Sequence, residues 1–357
     1  MNSETAMKKI PNSLFCSIPS GGHVQGIALD TEHNYMYVSL TTALAKVDMQ
    51  GAVIGYVEGL TGHLGSIAFN GEDGKIYGSL EYKHDAIGKD IIKNINASLA
   101  DEDAFYVAIF DAEKIDRPGL DAEKDGIMTA VYLNDVVNDY SAVLPDGKRH
   151  RYGCSGIDGL SFGPVFGKPG DSEKMLFVAY GIYGDKSRTD NDCQIILEFD
   201  WRAFSGIAKP LSQSAPHHEG IRCTNRYFLY TGNTDYGIQN LEYDAFNGDW
   251  LAAVYQGQKA QFPNYPMFVI DGSVAAEEAE IPGQNGEKGL MLSLKTEGIF
   301  DPKTGVWGVG FDYGQTGIHS FGNGYFYFSH DMRVSDNQWG TTARLYRRNG
   351  TEFELIV

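Results

Sequence analysis

GHVQGIALD (Gly22–Asp30) returns 40 residues later as GHLGSIAFN (Gly62–Asn70). Self-similarity at such a period marks repeat architectures, in which each unit buries its apolar faces against its neighbours. Fainter echoes stand at SGIDGLSFG (Ser155–Gly163), YGIQNLEYD (Tyr236–Asp244) and TGIHSFGNG (Thr316–Gly324). Each echo leads through a short turn into a second apolar or aromatic strand: YMYVSL from Tyr35, KIYGSL from Lys75, MLFVAYG from Met175, WLAAVYQ from Trp250 and YFYFSH from Tyr325. Third strands read from Ala43, Ala104, Gln194, Met267 and Ala343, and fourth strands from Ala52, Ile127, Arg226, Val306 and Glu352. Four antiparallel strands per unit, the fourth turning into the next first strand, make a propeller blade. The expected fold is therefore all-β, a β-propeller of five four-stranded antiparallel blades. An unassigned apolar segment, LMLSLKT (Leu290–Thr296), leaves six blades open. The segment SLFCSI (Ser13–Ile18) is placed to pair with the last blade and close the ring, which would remove an exposed edge.

Composition agrees with this reading. Among 357 residues there are 43 Gly, 21 Tyr and 19 Phe, and such a chain favours aromatic strands joined by tight turns. No run of Pro, Ser or charge interrupts the units as a linker would, so residues 1–357 read as one domain. One insertion, DAIGKDIIKNINASLA from Asp85, sets Ile91, Ile92, Ile95 and Leu99 at helical spacing. It predicts a short amphipathic helix near 85–100, packed over the ring.

With 29 basic against 47 acidic residues, the net charge of -18 disfavours nucleic acid and anionic membrane surfaces as partners. Cys16, Cys154, Cys193 and Cys223 are widely spaced, without a CxxC pair or a zinc spacing, and read as free thiols. No signal-peptide run follows Lys8 and Lys9, and no stretch approaches 18 apolar residues, so the expected location is cytoplasmic. The sequon Asn96-Ala97-Ser98 would matter only outside that compartment.

In a propeller the loops from strand four to the next strand one and from strand two to strand three share one face, and the first strands line the channel. His23, His63 and His319 fall at or beside the start of first strands, and His84 and His330 follow second strands. Neutral imidazoles from His23 and His63 with a carboxylate such as Asp158 form a candidate metal set; a turn histidine bonded to the neighbouring blade's backbone explains the same repetition. Directly after a second strand stand Glu81, Tyr82, Lys83, His84 and Asp85. Glu81 or His84 would serve as a general base if burial moved its pKa toward neutrality, and a solvated charged loop is the competing account. Gln25, Gly65, Asp158, Gln239 and Thr316 form an inner ring, suited to an ion such as calcium or another divalent metal, or to channel water. Asn233 and Tyr236 add ligand-binding candidates at the rim, where turn chemistry also accounts for them. No GxSxG, Walker, Rossmann or HExxH motif is present.

At GIALD and SIAFN, followed by YMYVS and KIYGS, the chain resembles the propellers of the senescence-marker/gluconolactonase and paraoxonase-like hydrolases, and NHL-type propellers share the pattern. The resemblance implies a channel calcium held by an acidic residue of the first blade and by Asn or Asp of later first strands. By position Asp158 matches such a ligand, whereas Gln25 stands where the acid is expected, and Gly65 and Gln239 depart from the pattern. Five-bladed glycosidases are a second comparison, and for their chemistry Glu81 and Asp158 are the candidate carboxylate pair. The functional expectation is a small polar molecule bound at the channel mouth, with metal-assisted hydrolysis of a lactone, ester or glycoside as the chemistry. A non-enzymatic propeller that binds a protein or peptide is the alternative.

Overall fold

A computed structural model of the chain describes residues 10–19, 21–95, 102–170, 173–336 and 338–357. Blade 1 comprises Val24–Asp30, Tyr35–Leu40, Ala43–Asp48 and Val53–Glu58. Blade 2 comprises His63–Asn70, Lys75–Tyr82, Ala104–Asp111 and Met128–Leu133. Blade 3 follows with Cys154–Gly163, Met175–Ile182, Cys193–Phe199 and Asn225–Tyr230. In blade 4, Asp235–Asp244, Asp249–Tyr255 and Met267–Ile270 pair in order, but the outer edge is broken: Val309 bridges to Met267 and Leu294 to Ile270. Blade 5 has Ile318–Ser320, Tyr325–Ser335 and Gln338–Asn349. Its outer edge is shared, since Ser13–Ser17 pairs with Gly340–Arg344 and Glu352–Leu355 with Tyr346–Asn349.

The fold is thus a five-bladed propeller, and the first strands touch in cyclic order from blade 1 round to blade 5 and back. SLFCSI closes the ring as its sequence suggests, and the strand from Glu352 supplies only half of the edge. LMLSLKT founds no sixth blade. Lys288–Met291 runs parallel to Asn225–Tyr230, with Leu290 opposite Tyr227, and widens blade 3.

The strands are apolar on both faces because each blade is sandwiched between two others. Alternation along Ala104–Asp111 shows the consequence: Tyr106, Ala108 and Phe110 pack against blade 1, while Phe105, Val107 and Ile109 pack against blade 3. Five apolar clusters among the described residues fill the five blade interfaces. Each large side chain buried there contributes about 1.5–3 kcal/mol. All four cysteines are free, Cys16, Cys154 and Cys193 being buried and Cys223 partly so. Among the described residues no helix is long and apolar enough to cross a membrane.

One polar side chain ties the blades together at the axis. Asn240, from the first strand of blade 4, donates through Nδ2 to Gln25 O of blade 1 and to Gln315 O before blade 5, both at 2.9 Å. Its Oδ1 accepts from Ser66 Oγ of blade 2 at 3.0 Å. In the matching positions of the other repeats stand Gly26, Ser66, Gly159 and Gly317, residues small enough to leave room for it.

Helix α1 (Ala86–Ile95) occupies the insertion after the second strand of blade 2. Asp85 Oδ1 accepts from Gly88 N at 2.9 Å and caps its start. Leu99 and the sequon lie outside the described residues.

Candidate functional site

Strand alternation builds the site from EYKHD. Glu81 and Lys83, two residues apart, face the channel mouth. Tyr82 between them turns into the blade 1–2 core, and its hydroxyl donates to Gln213 Oε1 at 3.0 Å. His84 turns outward, half-exposed, with Nδ1 3.0 Å from Asp103 Oδ1. The strand that supplies Glu81 thereby sends Tyr82 and His84 away from the mouth, which corrects the expected roles of both.

The Glu81 carboxylate reaches across to blade 3, where Oε2 accepts from Ile157 N at 3.1 Å. Gly156 permits this approach: its φ is +127°, and a Cβ there would lie 2.0 Å from Glu81 Oε2. Lys83 Nζ stands 2.5 Å from Glu81 Oε1, donates to Ser155 O at 2.8 Å, and lies 3.6 Å from Asp85 Oδ2. His63 Nδ1 faces two carboxylates, 3.5 Å from Glu81 Oε1 and 3.9 Å from Asp158 Oδ1. Asp158 Oδ2 accepts from Gln239 Nε2 at 3.1 Å, and the same amide donates to Tyr236 O. These groups line a cavity of about 130 Å³ with Gln25, Tyr236 and Tyr255, room for a few waters or a small organic group. Through Gln25, His63 and Ile87 it adjoins a wider cleft of about 720 Å³.

Burial and charge drive the two acids apart. Burial works to raise the pKa of Glu81, but the adjoining Lys83 ammonium and His63 outweigh it, and the carboxyl stays below its usual range. Burial also works against the charge on Lys83, and Glu81, Asp85 and Asp158 reverse that, raising its pKa. For Asp158 the balance reverses: burial together with the Glu81 charge outweighs His63, Lys83 and the Gln239 amide and pushes it up to about 7. At neutral pH the site holds a fixed ion pair beside a carboxyl poised to gain or lose a proton.

Tyr236 is a non-glycine residue with φ +62°, a conformation that costs on the order of 1 kcal/mol. Its ring is 42% exposed at the mouth.

Gln25, His63, Glu81, Asp158, Tyr236 and Gln239 are brought together as the sequence suggests, and the remaining candidates fall elsewhere. His23 stacks on Trp339 at 3.7 Å and lines the wider cleft, so His23, His63 and Asp158 do not converge on one point. Among the described residues no three His, Cys, Asp or Glu side chains are grouped to hold a metal. Of the inner ring suited to calcium, Gln25, Asp158 and Gln239 line the cavity, but Gln239 turns its amide NH2 rather than its oxygen to Asp158, and the adjoining Glu81 carboxylate is already held by the Lys83 ammonium, so the set does not fit the ion. Asn233 is buried, its amide donating to Tyr183 O at 3.4 Å. His330 stacks on Tyr313 at 3.8 Å and bonds the Tyr346 hydroxyl, away from the cavity. Lys83 stands in the run from Glu81 to Asp85 without an assigned role, and Ser155, Gly156 and Tyr255 are further parts of the site that no motif marks. For Lys83 a signal existed: period two from Glu81 places it on the same face.

His319 requires the largest correction. Register places it level with Ala28, Ala68, Ser161 and Glu242, one inward layer below Asn240, so it lies beyond the Asn240 tie from the mouth. Its Nδ1 is 4.0 Å from Glu242 Oε1, which accepts from Ser320 N at 2.7 Å. Burial depresses His319 to about 4 and lifts Glu242 to about 8, leaving both uncharged at neutral pH. Because the folded pKa of Glu242 exceeds its unfolded value, the folded state binds the extra proton and stability falls as pH rises through the window between about 4.5 and 8. Glu242→Gln is therefore expected to raise the melting temperature more at about pH 9 than at about pH 5. Thermal melts at both pH values check this, and an equal shift at both would contradict it.

No family model matches the chain, and no curated protein does. Among solved structures it is similar to the Dos1 propeller, with 9% identity and a TM-score of 0.34, over 96% of this chain and 86% of that one. It is also similar to a protein of unknown function from Bacteroides caccae, with 8% identity and a TM-score of 0.29, over 70% of this chain and 78% of that one. Neither likeness bears on chemistry.

Proposed function

We propose that the channel mouth binds a small polar molecule and acts on it by proton transfer, with hydrolysis of a lactone, ester or glycoside as the reaction. The observation that carries this reading is the pair of carboxylates, Glu81 and Asp158, sharing one cavity while their surroundings drive their ionisation in opposite directions. Asp158, with a pKa near the working pH, takes a proton from an attacking water and returns one to the leaving group. Glu81, held by Lys83, supplies the fixed negative charge that keeps the Asp158 proton available. Gln25 and Gln239 offer amides to orient hydroxyl or carbonyl groups, and Tyr236 and Tyr255 offer ring faces at the rim.

Assay against panels of lactones, aryl esters and aryl glycosides tests the proposal. One panel should give turnover, and Asp158→Asn should lower kcat by about 10²–10⁴-fold with little change in KM. Absence of turnover on all panels, or an Asp158→Asn variant as active as the parent, would sink it. The alternative, a protein- or peptide-binding propeller, is favoured by the hairpin of blade 5, where Met332 and Val334 are exposed on the mouth face. Turnover on any of the panels would weigh against a wholly non-enzymatic use of the face.

A further inference from the structure

We propose that the Lys83 ammonium is a built-in cation of the channel mouth, filling the place where a divalent ion would otherwise have to neutralise the carboxylates. The surroundings of Nζ are those of a bound hard cation. One carboxylate oxygen, Glu81 Oε1, lies at 2.5 Å, a main-chain carbonyl, Ser155 O, at 2.8 Å, and a second carboxylate oxygen, Asp85 Oδ2, at 3.6 Å. Mixed carboxylate and carbonyl oxygens are what calcium accepts, and an ammonium with three donors satisfies the same set without further ligands.

The enclosure is made for a fixed group. The Lys83 side chain is 6% exposed, and helix α1 packs directly on its backbone, since a Cβ at Gly88 would lie 1.8 Å from Lys83 O. Gly156 brings the neighbouring blade close enough for Glu81 to bond Ile157 N, which leaves Oε1 for the ammonium. Glu81, Asp158 and His63 face this point from the cavity and Asp85 from the start of helix α1, so without Lys83 two carboxyl groups would share one small cavity with a single imidazole and a third would stand beside them. Lys83 is thus a positioning residue: it holds Glu81 in place and ionised.

Melting temperature with Ca²⁺ or with chelator, read on the full chain, tests this without turnover, so its outcome is separable from that of the hydrolase proposal. The parent protein should melt at the same temperature in millimolar Ca²⁺ and in chelator. Lys83→Ala should melt lower in chelator and recover on adding Ca²⁺, and the recovery should vanish in Lys83→Ala/Glu81→Gln. Tb³⁺ luminescence, sensitised by Tyr236 and Tyr255, should show binding about 10-fold or more tighter in Lys83→Ala than in the parent. A Ca²⁺-dependent rise in the parent that Glu81→Gln abolishes would overturn the proposal, because a metal would then be displacing the ammonium. A folded Lys83→Ala that gains neither Ca²⁺ stabilisation nor Tb³⁺ binding would overturn it as well. Where Lys83→Ala is too unstable to melt, Lys83→Met carries the same comparison.

Discussion

Lys83→Met is expected to destabilise the protein by about 3–5 kcal/mol, the usual cost of leaving one partner of a buried ion pair without the other. The pair is enclosed, Glu81 and Lys83 being 3% and 6% exposed, so solvent does little to screen the loss. In the variant the carboxyl of Glu81 loses its largest favourable influence while burial persists. Its pKa then rises above the unfolded value, so the folded state holds the extra proton and the defect grows as pH rises. Glu81→Gln/Lys83→Met should recover much of the loss, since removing both charges removes the uncompensated one. Denaturant or thermal melts of the parent, both single variants and the double variant close the cycle. A double-variant loss equal to the sum of the two single losses would show that the two side chains act independently.

Asn240→Ala is expected to cost about 3 kcal/mol or more, because one truncation strands three groups inside the channel. Gln25 O and Gln315 O lose their donor, and Ser66 Oγ loses its acceptor. Asn240 is 2% exposed, and water has little access to replace it. Asn240→Asp tests the direction of the bonds: a carboxylate cannot donate to the two carbonyls, so this near-isosteric change should also destabilise, and more at pH 8 than at pH 4. Thermal melts decide the matter, and a loss within about 0.5 kcal/mol of the parent would place Asn240 among ordinary surface positions.

Much of the architecture is legible because a propeller repeats its instructions. The Gly22–Asp30 and Gly62–Asn70 segments carry the register of the first strands, and the alternation of strands such as Ala104–Asp111 carries the interfaces. Legibility fails where the repeat is interrupted. Blade 4 has its outer edge assembled from Leu294 and Val309 through single bridges, and no strand-length run announces such an edge. Leu290–Thr296 is apolar enough to suggest a new blade, yet its pairing is set by a parallel contact with Tyr227 and Phe228, which local pattern cannot encode.

The site divides along similar lines. Glu81 and Asp158 are visible as acids at strand positions near the axis, and their meeting follows from adjacent blades. His319 misleads because it stands three residues after Thr316, whereas His23 and His63 stand two residues before Gln25 and Gly65, and that distance along a first strand carries a side chain from the mouth to the far side of the Asn240 tie. Lys83 was hidden in a charged run that also contains His84 and Asp85, where solvated loops are common; only alternation separates the inward residues from the outward ones. Gly156 could not be read at all from local sequence, since its role depends on a carboxylate 75 residues earlier.

The direct test of a proton-exchanging channel mouth is the pKa of Asp158, measured by NMR on carboxyl-labelled protein and assigned by the signal missing from Asp158→Asn. A value of about 7, falling when Glu81→Gln removes the neighbouring charge, is the predicted result. A value near the ordinary ~4, indifferent to Glu81→Gln, would contradict the account.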